Sequence, residues 1–127
     1  MRHYWLLIAA LSGFFCVAFG AFAAHGLART LSPDALGWID TGLQYQMFHS
    51  LAILVVACLP ADFAARRLIR FSALAWTLGI ILFSGSLYAL ALGAGRFMVW
   101  LTPLGGTLFL IGWLLLAYGS LRSNQSI

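Results

Sequence analysis

The sequence predicts an all-α integral membrane bundle of four transmembrane helices, with a short amphipathic helix before the second. Hydrophobic residues make up 63% of the 127-residue chain and charged residues only 8%, against roughly 25% charged in an ordinary soluble domain. Charged residues also divide the chain into four uncharged runs, and each run exceeds the ~20 residues that a helix needs to cross the hydrocarbon core. These runs cover residues 3–28, 41–61, 71–95 and 97–121.

Charge and cysteine content exclude several functional classes. The net charge of +4 comes from seven arginines and three aspartates, and the arginines lie between the apolar runs. That placement is typical of membrane topology determinants and not of a basic stripe that follows a phosphate backbone, so we expect no nucleic acid partner. Cys16 and Cys58 each lie within an apolar run, where cysteine behaves as a small hydrophobe, so we expect no disulfide, metal or cofactor.

The first helix is predicted over about residues 5–24. Arg2, the apolar run from Trp5 and the triplet at residues 21–23 fit a cleavable signal peptide. A small side chain recurs at every fourth position, at Ser12, Cys16, Gly20 and Ala24, which suits close helix packing. We therefore expect this helix to be retained.

A short interfacial helix is predicted over about residues 33–42. Ser32 supplies a capping hydroxyl, Pro33 suits the first helical position, and Asp34 lies near the positive end of the helix dipole. We expect this segment to lie along the membrane surface and to lead into the second helix, residues 43–59, with a bend at Gly42.

The third and fourth crossings are predicted over about residues 71–92 and 99–121. Four crossings place both termini on one side, together with the loop between helices 2 and 3. Five arginines belong to that side and two to the other. The positive-inside rule then predicts that both termini are cytoplasmic. The five are Arg2, Arg66, Arg67, Arg70 and Arg122, and the two are Arg29 and Arg96.

Polar residues within the predicted helices fall in the outer half of the membrane. Gln46 and His49 lie about 6 and 10 Å below the outer boundary at about 1.5 Å per residue, and Tyr88 lies at a similar depth. Lipid offers no hydrogen bonds, so these side chains must find partners inside the bundle. The predicted polar cluster comprises His25, Gln44, Gln46, His49, Ser84, Ser86 and Tyr88. Close helix packing is predicted at Gly20, Gly85, Gly105 and Gly106.

Three roles for the cluster stay open at this point. It can hold the bundle together, as polar side chains commonly do between membrane helices, or it can dock a lipid, a ligand or a partner protein. In a carrier or channel subunit, His49 and Gln46 would line the route, although no Asp, Glu, Lys or Arg lies inside any run and only His49 could couple transport. A haem or metal held by His25 and His49 lacks a third ligand. No catalytic constellation is present, so we do not expect the protein to be an enzyme.

The small residues Gly85, Ala89 and Gly93 form a stripe on the third predicted helix, which is compatible with a homo-oligomer.

Four segments in the same order resemble a known family. They are GAFAAHGL at 20–27, QYQMFHSLAIL at 44–54, FSGSLYALAL at 83–92 and TPLGGTLFLIGW at 102–113. They resemble the small four-helix membrane proteins catalogued as domain of unknown function four hundred and twenty-three. The resemblance implies a bacterial inner-membrane protein with four helices, implies no activity, and places the family signature on much of the polar cluster. Ala23 stands where the family pattern leads us to expect glycine.

Overall fold

The computed structural model describes residues 2–60 and 66–125, which form helices joined by short turns. The α-helices are α1 (Arg2–His25), α2 (Pro33–Ala57), α3 (Arg66–Gly79), α4 (Gly85–Ala91) and α5 (Leu101–Gln125). A π-helical turn, Ile80–Ser84, joins α3 and α4 into one rod, and 3-10 turns at Leu27–Arg29 and Arg96–Trp100 precede α2 and α5. The predicted all-α fold is confirmed.

Successive rods run in opposite directions. The third rod (α3 to α4) and the fourth rod (α5) are antiparallel, because residue numbers rise along one as they fall along the other in their contacts. These contacts pair Trp76 with Gly112, Gly79 with Phe109, and Ser86 with Thr102. Between α1 and α2, Gly20 lies beside Leu43 while Ser12 meets Ser50. The start of α1 and the end of α5 therefore share one end of the bundle, the terminal end. The other end, where α2 and α5 begin, is the loop end.

Three stretches of the described chain are long and apolar enough to cross a membrane: His3–Arg29, Arg67–Ala91 and Arg96–Arg122. They correspond to the first, third and fourth predicted crossings. Helix α2 has the length, at 25 residues, but it carries the amides, the histidine and two aspartates that lower its hydropathy. The structure thus supports three of the four predicted crossings by length and composition.

Helix α2 differs from the prediction in being continuous. It begins where the sequence indicates, because Ser32 Oγ accepts a hydrogen bond from the Ala35 N–H at 3.1 Å. It then runs without interruption to Ala57, so the short interfacial helix is the first part of α2 and not a separate element. Gly42 has another use here: a Cβ at Gly42 would lie 2.6 Å from Tyr88 Cε1, so the missing side chain admits the tyrosine ring.

The predicted packing glycines fall into three groups. A Cβ at Gly105 would overlap the backbone nitrogen of Phe83, so the π turn and α5 touch backbone to backbone there. Gly20 and Gly106 have ordinary contacts at 3.6 and 3.7 Å. Outside the neighbouring backbone of its own helix, the described residues place no atom within 4 Å of a Cβ built at Gly85, so the structure does not place this residue at a close helix contact. Gly112 lies in tight contact with the fully buried Trp76. This contact was not predicted from the sequence.

Candidate functional site

The buried side chain of Gln46 joins three helices. Its Oε1 accepts a hydrogen bond from the Tyr88 hydroxyl of α4 at 2.7 Å, and its Nε2 donates to Ser12 Oγ of α1 at 2.9 Å. Ser12 and Ser50 hydroxyls lie 2.6 Å apart, and the Ser50 hydroxyl donates to the Gln46 carbonyl at 2.6 Å. Since the single hydroxyl hydrogen of Ser50 is donated to that carbonyl, the Ser12 hydroxyl is the donor in the bond to Ser50. The bonds form a closed circuit from α2 to α1 and back, with Tyr88 attached to it.

His49 connects α2 to α5. Its Nδ1 lies 2.8 Å from the Tyr45 carbonyl oxygen, which can only accept, so Nδ1 carries the proton. Its Nε2 accepts a hydrogen bond from the Trp113 indole N–H at 3.0 Å. The imidazole also stacks on Phe109, with ring centroids 3.7 Å apart and planes 6° from parallel. Both ring nitrogens are therefore occupied in the neutral tautomer, and neither is open to a metal or a substrate.

Two further serines form hydrogen bonds toward the loop end. Ser84 Oγ donates to the Gly42 carbonyl of α2 at 2.7 Å, and Ser86 Oγ lies 2.6 Å from Thr102 Oγ1 of α5. Ser84 and Ser86 lie two residues apart on the rod, so their hydroxyls face different helices. Just before Ser86, the Gly85 N–H bonds back five residues to the Ile80 carbonyl, as in a π turn.

The interhelical polar network is defined here as Ser12, Gln46, His49, Ser50, Ser84, Ser86, Tyr88, Thr102 and Trp113. It contains five of the seven residues of the predicted cluster. His25 is exposed at the end of α1, and within the described ranges no hydrogen bond or ring contact joins it to the network. Gln44 is also exposed and bonds to Asp40 on its own helix at 3.0 Å.

Four network members lie outside the predicted cluster: Ser12, Ser50, Thr102 and Trp113. Ser12 belonged to a stripe of small residues that suggested packing alone. Trp113 could have been suspected because an indole N–H within a membrane helix needs an acceptor. By the same reasoning, an acceptor would have been predicted for the indole N–H of Trp76. That buried N–H has no hydrogen-bond partner among the described residues.

The described residues contain no group of three or more His, Cys, Asp or Glu side chains that could hold a metal ion. The network itself consists of neutral hydroxyl, amide, imidazole and indole groups. Hydrogen bonds between helices engage both ends of the Gln46 amide and the Nε2 of His49. The arrangement defines a small helical membrane protein in which the polar face of α2 forms hydrogen bonds to single polar side chains on the largely apolar helices α1, α4 and α5.

Comparison with known proteins gives the family. Residues 19–106 match the family described as "Protein of unknown function (DUF423)". The chain is 58% identical over 125 residues to a "UPF0382 membrane protein" of Haemophilus influenzae, with 98% of this chain and 99% of the relative covered. It is 47% identical over 127 residues to the "UPF0382 inner membrane protein YgdD" of Escherichia coli, covering 97% and 93%. A "UPF0382 membrane protein" of Staphylococcus saprophyticus is 38% identical, covering 92% and 96%.

The chain belongs to this family of membrane proteins, and the resemblance seen in the sequence is confirmed. The relatives' names indicate neither an enzymatic nor a transport activity. No solved structure matches the chain.

Proposed function

We propose that this chain is a non-enzymatic inner-membrane protein that crosses the bilayer four times, with α2 as the second crossing in addition to the three long apolar stretches. The support comes from the way α2 distributes its residues. The outward-facing side chains of its second half are 40% to 63% exposed and apolar, while its glutamine, histidine and serine are buried at 5% or less. A helix that faces lipid while it bonds polar groups to its neighbours has this inverted pattern. The exposed residues are Met47, Phe48, Leu51, Leu54 and Val55.

The interhelical polar network, in this proposal, organises the bundle. The observation that carries this is the position of the Gln46 amide, which bonds to α1 on one side and to α4 on the other. A route for an ion or solute would need His49 and Gln46 to face a passage. Both face neighbouring helices and bond to them, which favours the organising role over the carrier role.

The terminal end lies in the cytoplasm in this proposal. Five of the seven arginines belong by sequence position to the terminal end, and Arg29 and Arg96 belong to the loop end. Arginine-rich ends of short membrane proteins are retained in the cytoplasm.

Thiol labelling tests the crossing by α2 and the orientation together. Cys58, just beyond α2, is exposed, whereas Cys16 is buried. In a Cys16→Ala background, one variant keeps Cys58 and the other combines Cys58→Ala with Thr30→Cys at an exposed position of the loop end. We expect a membrane-impermeant maleimide to label intact spheroplasts of the second variant, and to label the first only after lysis.

Each other outcome contradicts a stated part of the proposal. If α2 does not cross, both thiols react from the same side of the membrane. If the orientation is reversed, Cys58 reacts in intact spheroplasts and the thiol at position 30 reacts only after lysis.

A further inference from the structure

One face of α3 combines arginine with a continuous exposed apolar stripe. Arg67, Phe71, Leu74 and Leu78 recur at three- and four-residue spacing, so they share one side of the helix, and all four are exposed. Ile81, in the π turn, extends the stripe and is 60% exposed. The opposite side of α3 is fully occupied, with Trp76 and Ser72 at 0% exposure. The stripe is therefore the outward face of a helix whose inward face is packed.

The stripe has the length of one membrane leaflet. From residue 67 to residue 81 the helix rises about 21 Å at 1.5 Å per residue. Half of a ~30 Å hydrocarbon core is about 15 Å, and the headgroup region lies outside it. A guanidinium at the terminal end of the stripe thus stands at headgroup level when the leucines stand beside the acyl chains.

The net charge of the chain is concentrated at the same end. By sequence position the terminal end has five arginines and Asp62, a balance of +4, and the loop-end half has Arg29, Arg96, Asp34 and Asp40, a balance of zero. Asp62 lies outside the described residues. Among those that are described, neither Arg67 nor the half-buried Arg70 forms a hydrogen bond or an ion pair.

We propose that Arg67 and Arg70 bind the phosphate of an anionic phospholipid whose acyl chain lies along Phe71, Leu74 and Leu78. The two arginines are three residues apart and so project toward neighbouring positions at the start of α3. Guanidinium groups bind phosphate oxygens with paired, charge-assisted hydrogen bonds. A zwitterionic headgroup presents its own cation to this end, so the local balance of charge selects an anionic lipid.

The test measures the apparent melting temperature of the detergent-solubilised full chain as phosphatidylglycerol or phosphatidylcholine of the same acyl composition is added. A lipid that binds the folded state raises the melting temperature with its concentration. We expect phosphatidylglycerol to stabilise the wild type at lower concentration than phosphatidylcholine. The double variant Arg67→Gln, Arg70→Gln should weaken the phosphatidylglycerol response on the order of 30-fold, about fivefold for each arginine, and leave the phosphatidylcholine response unchanged.

The matched control removes two arginines from the other end, as Arg29→Gln, Arg96→Gln, and should retain the phosphatidylglycerol response. Equal responses of the wild type to the two lipids would overturn the proposal, as would an equal loss in the control. Inorganic phosphate should not stabilise the wild type, and a full response to it would show that no lipid is needed. The wild type alone gives a further check, because added salt should weaken the phosphatidylglycerol response and spare the phosphatidylcholine response.

Discussion

Replacement of Gln46 by leucine is expected to lower the free energy of unfolding by about 2 to 4 kcal/mol. Leucine fills much of the same space but leaves the Tyr88 hydroxyl and Ser12 without their glutamine partners. A buried polar group that loses its partner costs about 1 to 3 kcal/mol, and lipid offers no replacement. Unfolding of the two proteins in the same detergent, followed by circular dichroism, measures the difference.

Gln44→Leu is the matched control for this substitution. It exchanges the same residue types two positions away on the same helix, but Gln44 is exposed and bonds only to Asp40. Its effect should stay within about 0.5 kcal/mol, as for surface positions generally. Equal losses in the two variants would show that the interhelical polar network does not stabilise the bundle.

Gly105→Ala is expected to destabilise the protein by about 3 kcal/mol or more. The added methyl group would overlap the backbone of Phe83, so no side-chain rotation can relieve the contact and α5 must move away from the π turn. Overpacking of this kind typically costs 1 to 3 kcal/mol when side chains can adjust, and a backbone contact leaves less room to adjust. Thermal unfolding in detergent gives the size of the effect.

Gly85→Ala provides the comparison, because no other helix in the described part of the chain comes within 4 Å of the new methyl group. Alanine is also a better helix former than glycine, by about 1 kcal/mol in soluble helices. This variant should be as stable as the wild type or slightly more stable. A loss at Gly85 that matches the loss at Gly105 would contradict the helix packing described above.

The sequence predicted those features that depend on local chemistry. Apolar content and the spacing of charged residues indicated membrane helices. Ser32 with Pro33 indicated a helix start at residue 33, although the sequence assigned it to a separate interfacial helix and not to the continuous α2. The need of buried polar groups for partners indicated that Gln46, His49 and Tyr88 belong inside the bundle. Each of these predictions follows from a property that a residue keeps in any fold.

Features that depend on helix rotation were not accessible from the sequence. Gly85 and Gly105 look equivalent along the chain, and only the rotation of the rods decides which of them meets a neighbour. The π turn at Ile80–Ser84 changes that rotation, yet its residues are ordinary apolar ones with a terminal serine. For the same reason Gly42 suggested a bend, whereas in the structure it makes room for a ring from another helix.

The proposed organising role of the interhelical polar network depends most on the hydrogen bond between Gln46 and Tyr88, which links α2 to α4 across a distance of 2.7 Å. A double-mutant cycle with Gln46→Leu, Tyr88→Phe and the double variant isolates that bond, because phenylalanine keeps the ring that packs on Phe19. We predict a coupling free energy of about 1 kcal/mol, in the upper part of the range for polar pairs between membrane helices. Losses that simply add, to within about 0.3 kcal/mol, would contradict the claim that this network holds the bundle together.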